Sequence, residues 1–198
     1  LAHVAKKDRT MKTLIALSLA LDLIASAAHA QPAATLMPAQ SEIVFTSTQM
    51  GVPVEGRFKK FDAKIALDPK QPATGTVSFT IDAASATLGI AETDAELVKP
   101  NWFDTAKFAQ ASFKSSAVKG LGAGKFEVAG TLSIKGSAQP VVVPVTVTQS
   151  GANSVATGSF TIKRLVYKIG EAEWADTSLV ANDVTVRFKL TLTGLPPI

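Results

Sequence analysis

The sequence predicts an all-β fold: about eight antiparallel strands that pack as two sheets or close into a barrel, with one short helical crossover near residues 92–108. Three observations carry this. Apolar and polar residues alternate in twos over most of the chain after residue 40. Breaks rich in glycine and proline separate the runs. One stretch has no alternation and is rich in helix formers.

The runs follow in order. Residues 41–48 form a first, weak one. Phe61, Ala63, Ile65 and Leu67 then alternate with Asp62, Lys64, Ala66 and Asp68, and Val77, Phe79 and Ile81 with Ser78, Thr80 and Asp82. After another weak run at 111–118, Phe126, Val128, Gly130, Leu132 and Ile134 alternate with polar or small neighbours. Weak runs at 141–148 and 155–163 precede the last clear one, Val184, Val186, Phe188, Leu190 and Leu192. Period two marks strands with one buried and one wet face. Breaks at 68–72, 120–124, 136–140 and 150–154 are short, which favours antiparallel neighbours.

The crossover begins at Glu92. Thr93 and Glu96 have the spacing of a capping box, Pro100 stops the turn, and 101–108 reads as a second short helical turn. Strands with one apolar face each must stack as two sheets or surround a common axis. Ala63, Ala111, Ser115, Ala117 and Gly130 are small residues at expected inward positions beside Phe61, Phe79, Phe113 and Phe126. In a barrel of this size they leave room for one small ligand, unless the aromatic rings fill the gaps.

Residues 1–10 read as an upstream extension or a mis-assigned start. From Met11, a basic head at Lys12, an apolar run from Leu14 to Ala28, and Ala28-His29-Ala30 have the layout of a secretory signal peptide. Cleavage is expected after Ala30, leaving one domain over 31–198 in the periplasm. The alternative, a membrane anchor, is short, and Asp22 within it would cost roughly 2.5–3.5 kcal/mol in hydrocarbon. No stable membrane insertion of the mature chain is expected. No Cys stands at the cleavage point for lipid attachment.

Of 20 basic and 16 acidic residues, Lys6, Lys7, Arg9, Lys12, Asp8 and Asp22 precede residue 31. The remaining excess of positive charge is too small for a nucleic-acid footprint. Both histidines, His3 and His29, also precede it, and there is no cysteine. From residue 31 onward the chain offers no imidazole base, no thiol nucleophile and no soft metal ligand, so Ser-His-Asp and Cys-His catalysis and the common zinc sites are excluded there. No catalytic residue, metal site or cofactor is assigned.

Five blocks, in order, resemble the YceI-like family. They are Gly51-Val52-Pro53-Val54-Glu55-Gly56-Arg57-Phe58 with Phe61-Asp62; Ile81-Asp82-Ala83-Ala84-Ser85; Trp102-Phe103-Asp104 with Lys107-Phe108 and 111–115; Gly130 to Gly136 with Pro140; and Gly170-Glu171 with Glu173-Trp174-Ala175-Asp176-Thr177, running to Val184-Thr185-Val186-Arg187-Phe188. The resemblance implies an extended lipocalin-like antiparallel barrel with a helix near its mouth. It also implies a periplasmic protein holding a long-chain isoprenoid, polyprenyl or quinone-like, or another amphiphilic lipid. Relatives resembling this branch occur fused to a membrane cytochrome of the b561 type, which implies a loose link to such a partner. Whether the chain forms a homodimer is left open. Two departures stand out: Ala109 replaces the usual proline after the aromatic, and Thr93 and Glu96 occupy a stretch where many members carry His or Arg. Whether these departures alter head-group contacts is left open.

An isoprene chain offers apolar surface and little else, so its binding needs buried area and rigid aromatic walls. The candidates for the lining are Phe45, Phe61, Phe79, Ile81, Phe113, Phe126, Phe160 and Phe188. Trp102, Phe103 and Trp174, in non-strand segments, are candidates for the mouth. Each is also a reasonable core residue. Asp94, Glu96, Asp104, Glu171, Glu173 and Asp176 read as solvated loop faces and helix caps, and Arg57 and Arg187 as outward. The alternative function is a surface-interaction or stress-response barrel with a filled core. An enzyme would instead need two carboxylates converging in a cavity.

Overall fold

The computed structural model describes residues 33–198. The expected signal peptide, its cleavage point and the residues upstream lie outside them. Each alternating run forms a strand because that conformation buries one whole set of apolar side chains on one face. The segments are β1 (Ala33–Leu36), β2 (Glu42–Gln49), β3 (Val52–Phe58), β4 (Phe61–Ala66), β5 (Thr76–Asp82), β6 (Ala86–Thr87), helix α1 (Ala91–Leu97), β7 (Gln110–Gly122), β8 (Lys125–Ile134), β9 (Ser137–Ser150), β10 (Asn153–Lys163) and β11 (Val180–Thr193).

All pairings are antiparallel, and the sheet closes on itself. β1 pairs with both β4 and β11, while β2 pairs with β11 and β3. β1 and β2 act as one long strand broken by a 3-10 turn, Pro38–Gln40. β3 and β4 continue one another through Lys59-Lys60, and β5 and β6 through the turn Ala83–Ser85. Taken that way, eight long strands follow in chain order around a barrel.

The breaks in neighbouring strands are stitched together. Ser85 Oγ donates to the Asp82 carbonyl at 2.7 Å and accepts from Lys60 N at 3.0 Å, while the Asp82 carboxylate accepts from Ala84 N. The Ile81-Asp82-Ala83-Ala84-Ser85 block thus caps its own turn and ties it to the β3–β4 bend. Ser41 does the same for the first break, donating to the Met37 carbonyl and accepting from Thr191 N on β11.

β9 pairs with β8 from Ser137 to Thr146 but with β10 only from Val145 to Ser150. Pro140 and Pro144 fall in the half of β9 without an outer neighbour, where a missing N–H costs no second ladder. The break expected at 136–140 is therefore only the turn at Lys135-Gly136, with φ of 47° and 74°.

Three further expectations are corrected. Ala117 faces outward, because a register shift between Ser115 and Ala117 turns the alternation over and sends Val118 inward instead. The capping box does not form: α1 starts at Ala91 with Ile90 as its cap residue, and Thr93 lies inside the helix. The segment 98–108, expected to hold a second short helical turn over 101–108, is a run of hydrogen-bonded turns, the last from Phe108 N to the Asp104 carbonyl.

Candidate ligand cavity

The barrel interior is not filled. Its upper lobe, under α1 and the 164–180 segment, encloses about 450 Å³. A lower lobe of about 130 Å³ is lined by apolar side chains alone. Ile43, Ile81, Leu132, Phe160 and Val186 line both, so the lobes meet at a common waist. The upper volume falls within the roughly 300–1,000 Å³ usual for small-molecule sites.

The structure gathers most of the aromatic candidates on this space. Phe45 lines the upper lobe, Phe79, Phe113, Phe126 and Phe188 the lower, and Ile81 and Phe160 the waist. Phe61 lines neither and packs, half-buried, against the lower core. Trp102, Phe103 and Trp174 line the upper lobe. Phe45, Phe79, Phe113, Phe160 and Phe188 point inward yet are only half-buried: lining an unfilled interior, they lack the close contacts a packed core would give them.

Ala111 lines the upper lobe, but the inward glycines are covered by aromatic rings. A Cβ at Gly56 would stand 2.3 Å from Phe45 Cζ, at Gly130 2.5 Å from Phe113 Cζ, and at Gly158 2.3 Å from Phe188 Cζ. Gly56 pairs directly with Phe45, and Gly158 with Phe188. Each ring lies over a glycine on the adjacent strand, which holds it against the wall and leaves the axis open.

Two loops roof the upper lobe. Phe45 and Phe58 pack with ring centroids 5.3 Å apart, and Phe58 meets Phe103 edge-on at 5.9 Å, joining the barrel wall to the 98–108 segment. Trp102 and Trp174 pack at 5.5 Å. Gly170 N and Glu171 N both donate to the Asn101 carbonyl at 2.8 Å, fastening the two loops to each other. The Trp102 Nε1–H is buried and finds no hydrogen-bond partner among the described residues.

Two buried cations that the sequence did not mark hold this roof. Arg164 is 1% exposed and gives five hydrogen bonds to carbonyl oxygens: Nε to Ala181, Nη1 to Ile169 and Gly170, and Nη2 to Trp174 and Val180. A guanidinium has five N–H groups, so its donors are fully used. Burial holds its pKa below the ordinary arginine value. Lys135 Nζ donates to the Pro100 and Lys168 carbonyls and pairs with Glu171. The only sequence signal was that Lys135 and Glu171 each stand in one of the five blocks.

The acidic residues divide. Asp94 accepts from Thr87 Oγ1 and from Leu88 N, which hold its carboxyl below the ordinary aspartate value. Asp176 is lowered by the hydroxyl and backbone N–H of Ser178. Glu92 and Glu96, one helical turn apart on α1, stand at the rim of the upper lobe, Glu96 paired with Lys99. Arg57 is exposed, and Arg187 pairs with Glu55 on the outer surface. Among the described residues, no three His, Cys, Asp or Glu side chains are grouped to hold a metal, and no helix is long and apolar enough to cross a membrane.

Known proteins share this architecture. The family model described as the YceI-like domain matches residues 35–192. A UPF0312 protein of Vibrio cholerae is 32% identical over 135 residues, covering 67% of this chain and 71% of its own. The crystal structure of Burkholderia cenocepacia BcnA superposes with a TM-score of 0.77 at 43% identity, covering 79% of this chain and 98% of BcnA. A polyisoprenoid binding domain from Saccharophagus degradans, implicated in plant cell wall breakdown, shares the fold at 19% identity and a TM-score of 0.67, over 81% and 98% of the two chains. With a family model spanning both ends of the barrel and these relatives beside it, this chain belongs to the YceI-like domain family.

Proposed function

We propose that the chain is a carrier that holds a long isoprenoid, polyprenyl or quinone-like, or another lipid chain in the barrel interior and performs no catalysis on it. The observation that carries this reading is the two-lobed interior, whose lower lobe is apolar throughout. Such a space favours a hydrocarbon tail, at roughly 25 cal/mol per Å² taken out of water, and its preformed walls limit the ordering cost. The relationship to a polyisoprenoid binding domain supports the same cargo class. The aromatic residues named above as lining and mouth are the proposed contacts.

The carrier acts in the periplasm after removal of residues 11–30, a reading supported by the layout of that segment. The link to a membrane cytochrome of the b561 type is a proposal from the family resemblance, and whether the chain forms a homodimer is left open. The first experiment is export of the chain through its own leader, purification without detergent, solvent extraction and mass spectrometry. A stoichiometric isoprenoid or quinone supports the carrier. No lipid, and no uptake from a panel of polyprenyl chains and quinones, overturns the carrier reading and makes the surface-interaction reading the one to test.

A further inference from the structure

The barrel wall is incomplete at one seam. β8 pairs with β9 back to Ser137, and β10 pairs with β11 up to Lys163. Between themselves, β9 and β10 pair only through Val145–Ser150 and Asn153–Gly158. Among the described residues, no strand pairs with the facing edges of β9 at 137–144 and β10 at 159–163.

The sequence keeps this seam open. Ser150 and Asn153 flank a two-residue turn and form a hydrogen-bonded pair, and such pairs recur at every second residue. Continued in the same register, the pairs needed to close the seam are Pro144 with Ser159, Val142 with Thr161 and Pro140 with Lys163. Two of the three put a proline, which has no N–H, where the ladder needs a donor.

The opening is a bounded window. Its lower end is the ladder that stops at Val145 and Gly158. At its upper end Lys135 Nζ, in the turn before β9, donates to the Lys168 carbonyl beyond β10 at 2.7 Å. Phe160 stands inside it, half-buried and lining both lobes at their waist, with Ile162 on the upper lobe and Val143 on the lower. Outside it, β9 exposes Ala138, Pro140, Val142 and Pro144, an apolar strip. The outward faces of β4 and β11 carry Asp62, Lys64, Arg187 and Lys189 instead.

A hydrocarbon chain fits this window. It asks for no backbone partner, whereas the prolines make a strand of another chain a poor occupant. Entry through the roof would disturb the five Arg164 hydrogen bonds, the two bonds to the Asn101 carbonyl, or the Asp94 bonds that tie α1 to Thr87 and Leu88. No ladder has to break for β9 and β10 to part between 140 and 144.

Building on the carrier reading, we propose that the cargo's hydrocarbon chain enters and leaves the barrel sideways, through the window between β9 and β10 and past Phe160, while the roof stays closed.

The chain has no cysteine of its own, so an introduced pair is specific. In Val142→Cys, Thr161→Cys, a disulfide draws the two edges to a Cα spacing of roughly 5.5–6 Å and shuts the window. Both tryptophans line the upper lobe, so intrinsic fluorescence follows occupancy. The full chain, stripped of lipid on a hydrophobic resin, is loaded with geranylgeraniol and then unloaded into phosphatidylcholine vesicles. The oxidised pair is expected to slow loading and release alike by at least about tenfold, leaving their ratio nearly unchanged, and reduction should restore both. Pro140→Thr, Pro144→Thr, which supplies the two missing donors, should slow both rates severalfold without thiol chemistry, and decides alone if the two cysteines do not join. Thr87→Cys, Asp94→Cys, oxidised to fix α1, should leave the rates as they are. Rates untouched by shutting the window, or slowed by fixing α1 instead, overturn the proposal while the carrier reading stands. If the unaltered chain takes up no geranylgeraniol, the carrier reading itself fails.

Discussion

Arg164 and Gly170 are in direct contact: Nη1 donates to the Gly170 carbonyl at 2.9 Å, and a Cβ at position 170 would stand 2.3 Å from that nitrogen. Gly170 also has a φ of +75°, a conformation that costs an L side chain about 1–2 kcal/mol. Gly170→Ala combines that cost with displacement of the guanidinium. The expected loss of stability is roughly 2–4 kcal/mol, read from the denaturant midpoint. Arg164→Met leaves five carbonyls without their donor and is expected to lose more than Gly170→Ala. Arg164→Lys, restoring the charge and up to three bonds, should fall between Arg164→Met and the unaltered chain.

The glycines under aromatic rings differ in what an added methyl meets. At Gly158 it meets both Phe188 Cζ at 2.3 Å and the backbone oxygen of Pro144 at 2.6 Å. At Gly56 its nearest neighbours are side-chain atoms of Phe45 and Leu88, which can turn away into the cavity. Gly158→Ala is therefore expected to cost about 1–3 kcal/mol as overpacking, and Gly56→Ala less. Thermal unfolding of the two variants checks the order. Gly56→Ala should also reduce uptake of lipid, because Phe45 moves into the upper lobe.

Ala156 is buried and lines the lower lobe. Under the carrier reading, Ala156→Phe occupies the space of the tail's end. The longest isoprenoid alcohol bound should become shorter, with little change for short chains. Titration with a homologous series of isoprenoid alcohols measures this cutoff.

Asp94 and Asp176 have folded pKa values below their ordinary one, both through hydrogen bonds to the carboxylate. A depressed carboxylate contributes stability above its unfolded pKa, and that contribution disappears as pH falls through the folded value. The unaltered chain is expected to lose stability on acidification below the ordinary aspartate range. Asp94→Asn, which keeps an acceptor but cannot titrate, should flatten that part of the curve. Denaturant midpoints across an acid pH series give the comparison.

Most of the strand framework was legible because alternation is local: the runs at 61–68, 77–82, 125–135 and 183–192 each state which face is buried before any neighbour is known. β3 was read as a motif rather than a strand, since Gly51, Pro53 and Gly56 interrupt its pattern. A bulge spoiled the expectation for Ala117, because one extra residue reverses every side chain after it. The capping box failed at Thr93 where the Asp94 carboxylate turns back to Leu88 N and Thr87 instead. The aromatic set was visible as a composition, but its division between lobes depends on pairings such as Phe45 with Gly56 and Phe188 with Gly158. Arg164 lay beyond sequence reasoning altogether. An arginine is ordinarily exposed, and its burial here depends on five carbonyls from 169–181 converging on one point. That convergence exists only once the loop has closed over the barrel, whereas each strand's buried face is written in the spacing of its own residues.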